Sequence, residues 1–420
     1  MEEAQRRAAR LVAGVLAGRS LVESALRDDP AAASANAGLL RDLTYGTLRR
    51  LGEFRQLARL LAHRGIDDPM LEALLYVALY QLGYTKAPPH AIVNHAVAAT
   101  RTLGLQRSAS FLNALLRRFL RERETLLVQA RATPEGRWSH PAWWIEKVRL
   151  QYGDVAEDIL SAGLLHPPMT VRPNRRRITV EAYGAMLADA GMAASPVDPG
   201  ALTLASPVAV RQLPGHAAGL VSVQDAGAQW AARLLDLADG QRVLDACSAP
   251  GGKAVHILES AAVDLTALDA DASRLQTVRA QLDRLGLEAQ TAVADAAELS
   301  AWWNGSGFER VLLDAPCSGS GIVRRHPDAK WLRRETDIAA FARQQRRLLD
   351  ALWQVLAPGG KLLYVTCSVF REENAAVVDA FVNRREDARR LPLTSFPAGD
   401  GQLLPDRSHD GFFYALLAKH

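Results

Sequence analysis

Two cysteines stand where apolar runs end, and they are the residues of this chain most suited to chemistry. Val311-Leu312-Leu313-Asp314 leads into Ala315-Pro316-Cys317-Ser318-Gly319-Ser320-Gly321, and Lys361-Leu362-Leu363-Tyr364-Val365-Thr366 leads into Cys367-Ser368. Short apolar runs of this kind read as buried strands, and open parallel sheets present ligands with side chains at the carboxyl ends of their strands. Both thiols are therefore expected to face one site. A thiol becomes an effective nucleophile when a cation or a helix N-terminus lowers its pKa from about 8.5, and Lys253 and Arg324 are the candidate cations. The third cysteine, Cys247, reads as a small buried hydrophobe. Three widely spaced cysteines with no Cys-x-x-Cys pair argue against a disulfide framework and against zinc, so no metal is expected.

A second group of residues points to a cofactor. Three successive apolar runs end in Asp245, Asp269 and Asp295. One acid in such a place is most often a helix cap; three in succession fit a nucleoside ligand better. Cys247-Ser248-Ala249-Pro250-Gly251-Gly252-Lys253 follows the first run and opens a helix. Its glycines let the backbone pass close to a ligand, and the helix N-terminus offers unpaired N–H groups to a carboxylate. Neither a phosphate loop nor Gly-x-Gly-x-x-Gly is present, which disfavours nucleoside triphosphates and dinucleotides. Asp269 is placed to accept from a ribose diol and Asp295 from an adenine amine. S-adenosyl-L-methionine is a nucleoside ligand without phosphates.

These residues need a sheet to hold them. Strands are expected at 242–246, 263–268, 289–294, 309–314 and 361–366, with amphipathic helices between them, the alternation of a doubly wound parallel α/β sheet. A helix from Glu335 to Leu356 is expected to stop at Pro358-Gly359-Gly360, and the period-two segment from Gly411 to Leu417 to add an antiparallel edge strand. Upstream, apolar residues recur at three- and four-residue steps through 4–121, an all-α pattern. Between them, Pro- and Trp-interrupted segments and the Arg172 to Arg177 run read as a small α+β region. The expected domains are 1–125, 126–220 and 221–420.

With 420 residues the chain has room for several cores. No apolar run approaches the roughly 18 residues of a membrane span and no signal-peptide core opens the sequence, so a cytoplasmic protein is expected. Net charge is +4, yet residues 1–130 carry +6 and the remainder −2. A basic first third is compatible with a polyanion. Arg117, Arg118, Arg121 and Arg123 are candidate phosphate contacts or a solvated face, and Arg172, Arg175, Arg176 and Arg177 a candidate track for an RNA backbone or a basic turn.

Arg41-Asp42-Leu43-Thr44-Tyr45-Gly46, Pro88-Pro89-His90 and Asn113-Ala114-Leu115-Leu116-Arg117, in that order, resemble the NusB-like RNA-binding domain. Asp245-Ala-Cys-Ser-Ala-Pro-Gly-Gly-Lys253, Asp314-Ala-Pro-Cys-Ser-Gly-Ser-Gly321 and Thr366-Cys-Ser368 together resemble the RNA cytosine-C5 methyltransferase family. With Arg324-Arg-His-Pro-Asp-Ala-Lys-Trp331, they look like its bacterial members acting on 16S ribosomal RNA. The resemblance implies a Rossmann-like class I methyltransferase domain that binds S-adenosyl-L-methionine through Cys247, Ser248, Ala249, Pro250, Gly251, Gly252, Lys253, Asp269, Asp295 and Asp314. It implies Cys367 as the nucleophile that adds to cytosine C6 and Cys317 as the thiol that assists release. The residues alone do not order the two, and in DNA cytosine methyltransferases a Pro-Cys thiol is the nucleophile. Asp314 is the candidate acid at the base's Watson–Crick edge, and Lys253 is counted with the catalytic residues as a candidate cation for the thiols. The target base must be unstacked to reach such a pocket. A monomer is expected. Transfer RNA or 23S ribosomal RNA as substrate, and a non-catalytic RNA-binding assembly factor, are the competing readings. Amine methylation fits poorly, because Asp-Ala-Pro-Cys replaces the Asn/Asp-Pro-Pro-aromatic loop that it needs.

Overall fold

The computed structural model describes residues 1–21 and 37–420. It forms two compact units, Met1–His166 with Val323–Glu335, and Pro167–Ile322 with Thr336–His420.

The first unit is helical. Helices cover Glu2–Leu16, Ala37–Arg49, Leu51–Leu61, Pro69–Tyr84, Pro89–Thr102 and Ala109–Arg131, and shorter ones follow at Pro134–Trp138, Ala142–Tyr152 and Ala156–Ala162. This agrees with the helical reading of 4–121, of which 22–36 lie outside the described residues. Asp68 caps the central helix by accepting from the N–H groups of Met70 and Leu71. Pro69 sits in its first turn, where a missing N–H costs nothing. Leu74, Leu75, Val77, Ala78 and Leu79 of that helix are fully buried, each large apolar side chain contributing about 1.5–3 kcal/mol on leaving water.

Residues 126–162, expected to open the α+β region, are helical and belong to this unit. The reason is local. Pro134 starts a helix capped by Thr133, and Pro141 precedes another, so prolines that read as breaks act as beginnings. Two of the candidate phosphate contacts are also committed here. Arg118 donates to the carbonyls of Leu60 and Leu61, and Arg123 to that of Gly83, satisfying the ends of the neighbouring helices.

Residues 323–335, which follow the first cysteine loop in sequence, pack within this helical unit. Arg49 donates to the Arg324 carbonyl at 2.8 Å, Lys330 to the Arg49 carbonyl at 2.9 Å, the Trp331 indole to the Leu48 carbonyl at 2.7 Å, and Asp328 accepts from the Leu21 N–H at 3.0 Å. Arg324, a candidate cation for the thiols, is buried here.

The second unit contains two sheets. Strands β1 (Thr170–Pro173), β2 (Ala194–Val197), β3 (Ala201–Leu204) and β4 (Val221–Val223) form an antiparallel sheet in the order β2-β3-β1-β4. Helix Val180–Asp189 belongs to the same small core, which contains its Tyr183 and Leu187 together with Val171 and Leu202. The larger sheet comprises β5 (Arg242–Ala246), β6 (Asp264–Asp269), β7 (Gln290–Val293), β8 (Phe308–Asp314), β9 (Leu356–Thr366), β10 (Ala388–Leu391), β11 (Gln402–Leu403) and β12 (Phe412–Lys419). Its order is β10-β12-β9-β8-β5-β6-β7, with β11 beside β12. Strands β5 to β9 are mutually parallel, and the chain reverses direction of travel across the sheet between β7 and β8, the topology that opens a crevice at the strand ends.

Two expectations are corrected. β12 is antiparallel, as its alternation suggested, but it lies inside the sheet, because β10 pairs with its far side along Ala388–Leu391. The long helix ends at Val355 and passes directly into β9, so Pro358-Gly359-Gly360 lies within the strand's span. Among the described residues no helix is long and apolar enough to cross a membrane.

Candidate functional site

β8 and β9 run side by side in parallel register, with Leu313 opposite Tyr364 and Asp314 opposite Val365. The chain beyond each strand therefore emerges at the same edge. Ala315 donates to the Val365 carbonyl at 2.8 Å, and Gly321 returns to donate to the Cys367 carbonyl at 2.8 Å, closing the first cysteine loop against the second. Gly321 has to be glycine: a Cβ there would lie 2.2 Å from the Gly411 carbonyl oxygen. The result is a thiol pair, with Cys317 Sγ and Cys367 Sγ 3.3 Å apart. The expectation that both face one site is met in geometry.

The surroundings of the two thiols differ. Hydrogen bonding to Cys367, burial, and the negative charge of Cys367 and Glu373 together push the Cys317 thiol well up. Lys253, from the helix Gly252–Ser260, donates to Asp314 Oδ2 at 2.6 Å. Burial works against the Lys253 ammonium, but Asp314, Cys367 and Asp245 outweigh it and raise its pKa. Lys253 and Asp314 thus form a cation–carboxylate pair next to the thiols, and the cation acts on the Cys367 side.

A polar cluster supports the pair. Glu373 is fully buried and accepts from the Ser318 N–H at 2.7 Å, the Ser318 hydroxyl at 2.6 Å and the Ser368 hydroxyl at 2.6 Å. Ser320 and Ser368 hydroxyls are 2.9 Å apart, and Gln345 donates to the Pro316 carbonyl at 2.9 Å. Sequence reading missed Glu373 and Gln345, and gave Ser368 no role beyond its place in the Thr-Cys-Ser motif. The only signal for Glu373 was an acid six residues beyond Cys367, and spacing alone does not fold it back under the loop.

The cofactor side is built around β5 and β6. Cys247 turns the chain with φ of 65°, Ser248 donates through its N–H to the Leu268 carbonyl at 2.8 Å and through its hydroxyl to Asp245 Oδ2 at 2.9 Å. Gly251 adopts φ of 97°, and a Cβ there would meet the Val278 backbone at 3.0 Å, so the loop lies flat on the next helix. Asp269 accepts from the N–H groups of Ala249 and Asp271, each at 3.0 Å. Asp295 accepts from Ala297 at 2.9 Å and pairs with Arg347 at 2.9 Å in a half-exposed position. Asp245 is fully buried, and burial lifts its carboxyl to about 7. Its Oδ1 has no hydrogen-bond partner among the described residues, an orphaned acceptor of the sort a bound ligand satisfies. Burial and the surrounding aspartates push the Cys247 thiol up as well, leaving it unreactive.

Of the Arg172 to Arg177 run, Arg175, Arg176 and Arg177 are exposed. Arg172 is buried, paired with Glu259 at 3.0 Å, and donates to the Gly252 carbonyl at 3.3 Å. Arg177 donates to the carbonyls of Ala218 and Leu285. Arg172 therefore ties the small sheet to the start of the Lys253 helix and is not an open track for RNA.

The chain matches family models along most of its length. Residues 232–418 match 16S rRNA methyltransferase RsmB/F, residues 140–211 the RsmF/B-like ferredoxin-like domain, and residues 2–121 the NusB family. It is 44% identical to ribosomal RNA small subunit methyltransferase B of Pseudomonas putida, covering 98% of this chain and 97% of that one, and 42% identical to the protein of that name from Vibrio cholerae, covering 91% and 89%. Among solved structures, PH0851 covers 99% of each chain at a TM-score of 0.79 and 25% identity. NSun6 from Pyrococcus horikoshii covers 66% of this chain and 98% of its own at a TM-score of 0.60 and 20% identity, a likeness of fold. The thiol pair and the aspartates at the strand ends thus sit in a chain that belongs to the RsmB/F family of ribosomal RNA methyltransferases.

Proposed function

We propose that the protein transfers a methyl group from S-adenosyl-L-methionine to C5 of cytosine 967 in 16S ribosomal RNA through a covalent Cys367–C6 intermediate. The observation that carries this reading is the pair of thiols 3.3 Å apart beside the Lys253–Asp314 pair.

Cytosine C5 is a poor nucleophile. Addition of the Cys367 thiolate to C6 breaks the C5–C6 double bond and sends its electron pair into the ring, leaving C5 enamine-like. Asp314 faces the Watson–Crick edge of the base, where a proton or a strong hydrogen bond at N3 stabilises the added charge, and Lys253 stands behind it as the proton reservoir. Methylated C5 still carries its original hydrogen. Cys317, having lost its own proton to solvent, takes that hydrogen as a proton; the C5–C6 double bond re-forms and the C6–S bond breaks. Cys367 leaves as a thiolate, and Cys317 passes the proton on to solvent.

The loop 247–253 and Asp245, Asp269, Asp295 and Asp314 would hold the cofactor, which supplies an electrophilic methyl group on a sulfonium sulfur. The orphaned Asp245 Oδ1 and the close backbone approach at Gly251 fit such a ligand. Asp295 is the least committed of the set, being half-exposed and held by Arg347. The exposed Arg175 and Arg176 and the NusB-like helices are assigned to holding RNA, with the target base flipped into the pocket.

Mapping 5-methylcytosine in cellular RNA from a deletion strain tests the assignment. Loss of the mark at cytosine 967 alone is expected. Loss confined to transfer RNA or to 23S RNA would overturn the substrate, and an unchanged map would favour a non-catalytic assembly role.

A further inference from the structure

Two identical side chains in van der Waals contact have no reason to do different jobs unless something beside them is asymmetric. Lys253 supplies one half of that asymmetry, on the Cys367 side. The other half lies underneath. After Thr366-Cys367-Ser368 the chain buries Val369 and Phe370 completely and turns through a short 3-10 segment, Arg371–Glu373. The turn is fixed at both ends. Phe370 donates its N–H to the Ser368 hydroxyl at 3.0 Å, and the Tyr364 hydroxyl donates to the Glu373 carbonyl at 2.6 Å. Asn374 accepts from Thr366 and donates to the Ser368 carbonyl at 2.9 Å.

This turn aims the Glu373 carboxylate back under both loops. One oxygen accepts from the Ser318 N–H, the peptide nitrogen that follows Cys317, and more weakly from Gln345 at 3.4 Å. The other accepts from the hydroxyls of Ser318 and Ser368, the residues that follow the two cysteines. Among the described residues no cation forms an ion pair with Glu373. Burial raises the Glu373 carboxyl pKa, and the hydrogen bonds from Ser318, Ser368 and Gln345 oppose that rise and hold its charge where water does not screen it.

We propose that Glu373 is the positioning residue that makes the two thiols unequal, by bridging Ser318 to Ser368 beneath them and holding an unscreened negative charge beside Cys317. The bridge sets the sulfur–sulfur separation. The charge opposes a second thiolate next to the first, so Cys317 rests as a thiol while Cys367 adds to the base, and later serves as a strong base for the C5 proton. The titratable groups facing Cys317 are Tyr364 from β9, Cys367 just beyond its end and Glu373 from the turn, while Lys253 acts through Cys367 and Asp314, and Arg346 of the long helix acts on Tyr364. Glu373 is the carboxylate among the groups that act on Cys317 directly.

The proposal rests on the two-thiol reading above, and its test is chosen to fail separately. In the full-length protein, the pH dependence of iodoacetamide alkylation at Cys317 is followed by peptide mass for wild type, Glu373→Gln and Ser368→Ala. Glu373→Gln is expected to move the Cys317 midpoint down by about one pH unit or more, the effect of removing a nearby like charge. Ser368→Ala keeps the charge and cuts the bridge; it is expected to leave that midpoint in place while slowing methyl transfer by about tenfold or more. An unmoved midpoint in a folded Glu373→Gln protein would overturn the proposal, even if activity falls. Should Glu373→Gln not fold, Ser368→Ala decides: wild-type transfer rates would overturn the bridge. A wild type that methylates no cytosine would defeat the functional reading, while the alkylation midpoint would still report on Glu373.

Discussion

The ends of β8 and β9 carry the same residue type at the same edge of one sheet, yet Cys317 and Cys367 stand in opposite surroundings. Around Cys317 are Glu373 and the serine hydroxyls; on the Cys367 side stands the Lys253–Asp314 pair. Role is assigned here by neighbours rather than by residue type. A thiol beside a cation is ready to attack, and a thiol beside a buried carboxylate is ready to hold or take a proton.

The largest expected effect is at the attacking thiol. Cys367→Ala should lower methyl transfer by on the order of 10⁴-fold or more, about 5 kcal/mol of barrier, measured by single-turnover transfer of labelled methyl groups. If Cys367→Ala retains activity and Cys317→Ala alone loses it, the comparison is reversed. Next is Lys253→Met, which strips the cation from the Cys367 side and leaves Asp314 without its partner. A loss of about 10²- to 10³-fold in kcat is expected, with fold retained by circular dichroism.

Two further variants leave both thiols in place. Glu259→Ala strands the buried Arg172 without its partner, and breaking a buried pair of this kind costs about 3–5 kcal/mol. Lower thermal stability is expected, with the order of thiol reactivity unchanged. The smallest effect concerns Asp245, whose carboxyl burial lifts to about 7, above its value near 4 in an unfolded chain. The folded protein binds that proton more tightly than the unfolded chain does. Its stabilising contribution is therefore complete below about pH 4 and is lost as pH rises through 7. In cofactor-free protein, Asp245→Asn should melt a few degrees above wild type at pH 8, the gap closing as pH falls toward 4.

The thiol pair was legible in the sequence because each cysteine follows an apolar run ending a strand, and parallel strands bring their ends together without long-range information. The three acid-ended strands were legible for the same reason. Glu373 was not, since its partner Ser318 lies 55 residues away along the chain, and no local period reports which loop a turn folds beneath. Sheet order was partly hidden as well: alternation marked β12 as a strand, but only the pairing of β10 with its far side places it inside the sheet. Arg172 looked like a surface cation in an Arg-rich run, and the buried Glu259 that neutralises it lies 87 residues on.

The most direct test of unequal thiols is to trap the intermediate. Cys317→Ala and Cys367→Ala proteins are mixed with S-adenosylmethionine and small-subunit ribosomal RNA and run on a denaturing gel. Cys317→Ala is expected to accumulate a denaturation-resistant protein–RNA adduct and Cys367→Ala to form none. An adduct with Cys367→Ala, and none with Cys317→Ala, would contradict the assignment and make Cys317 the nucleophile.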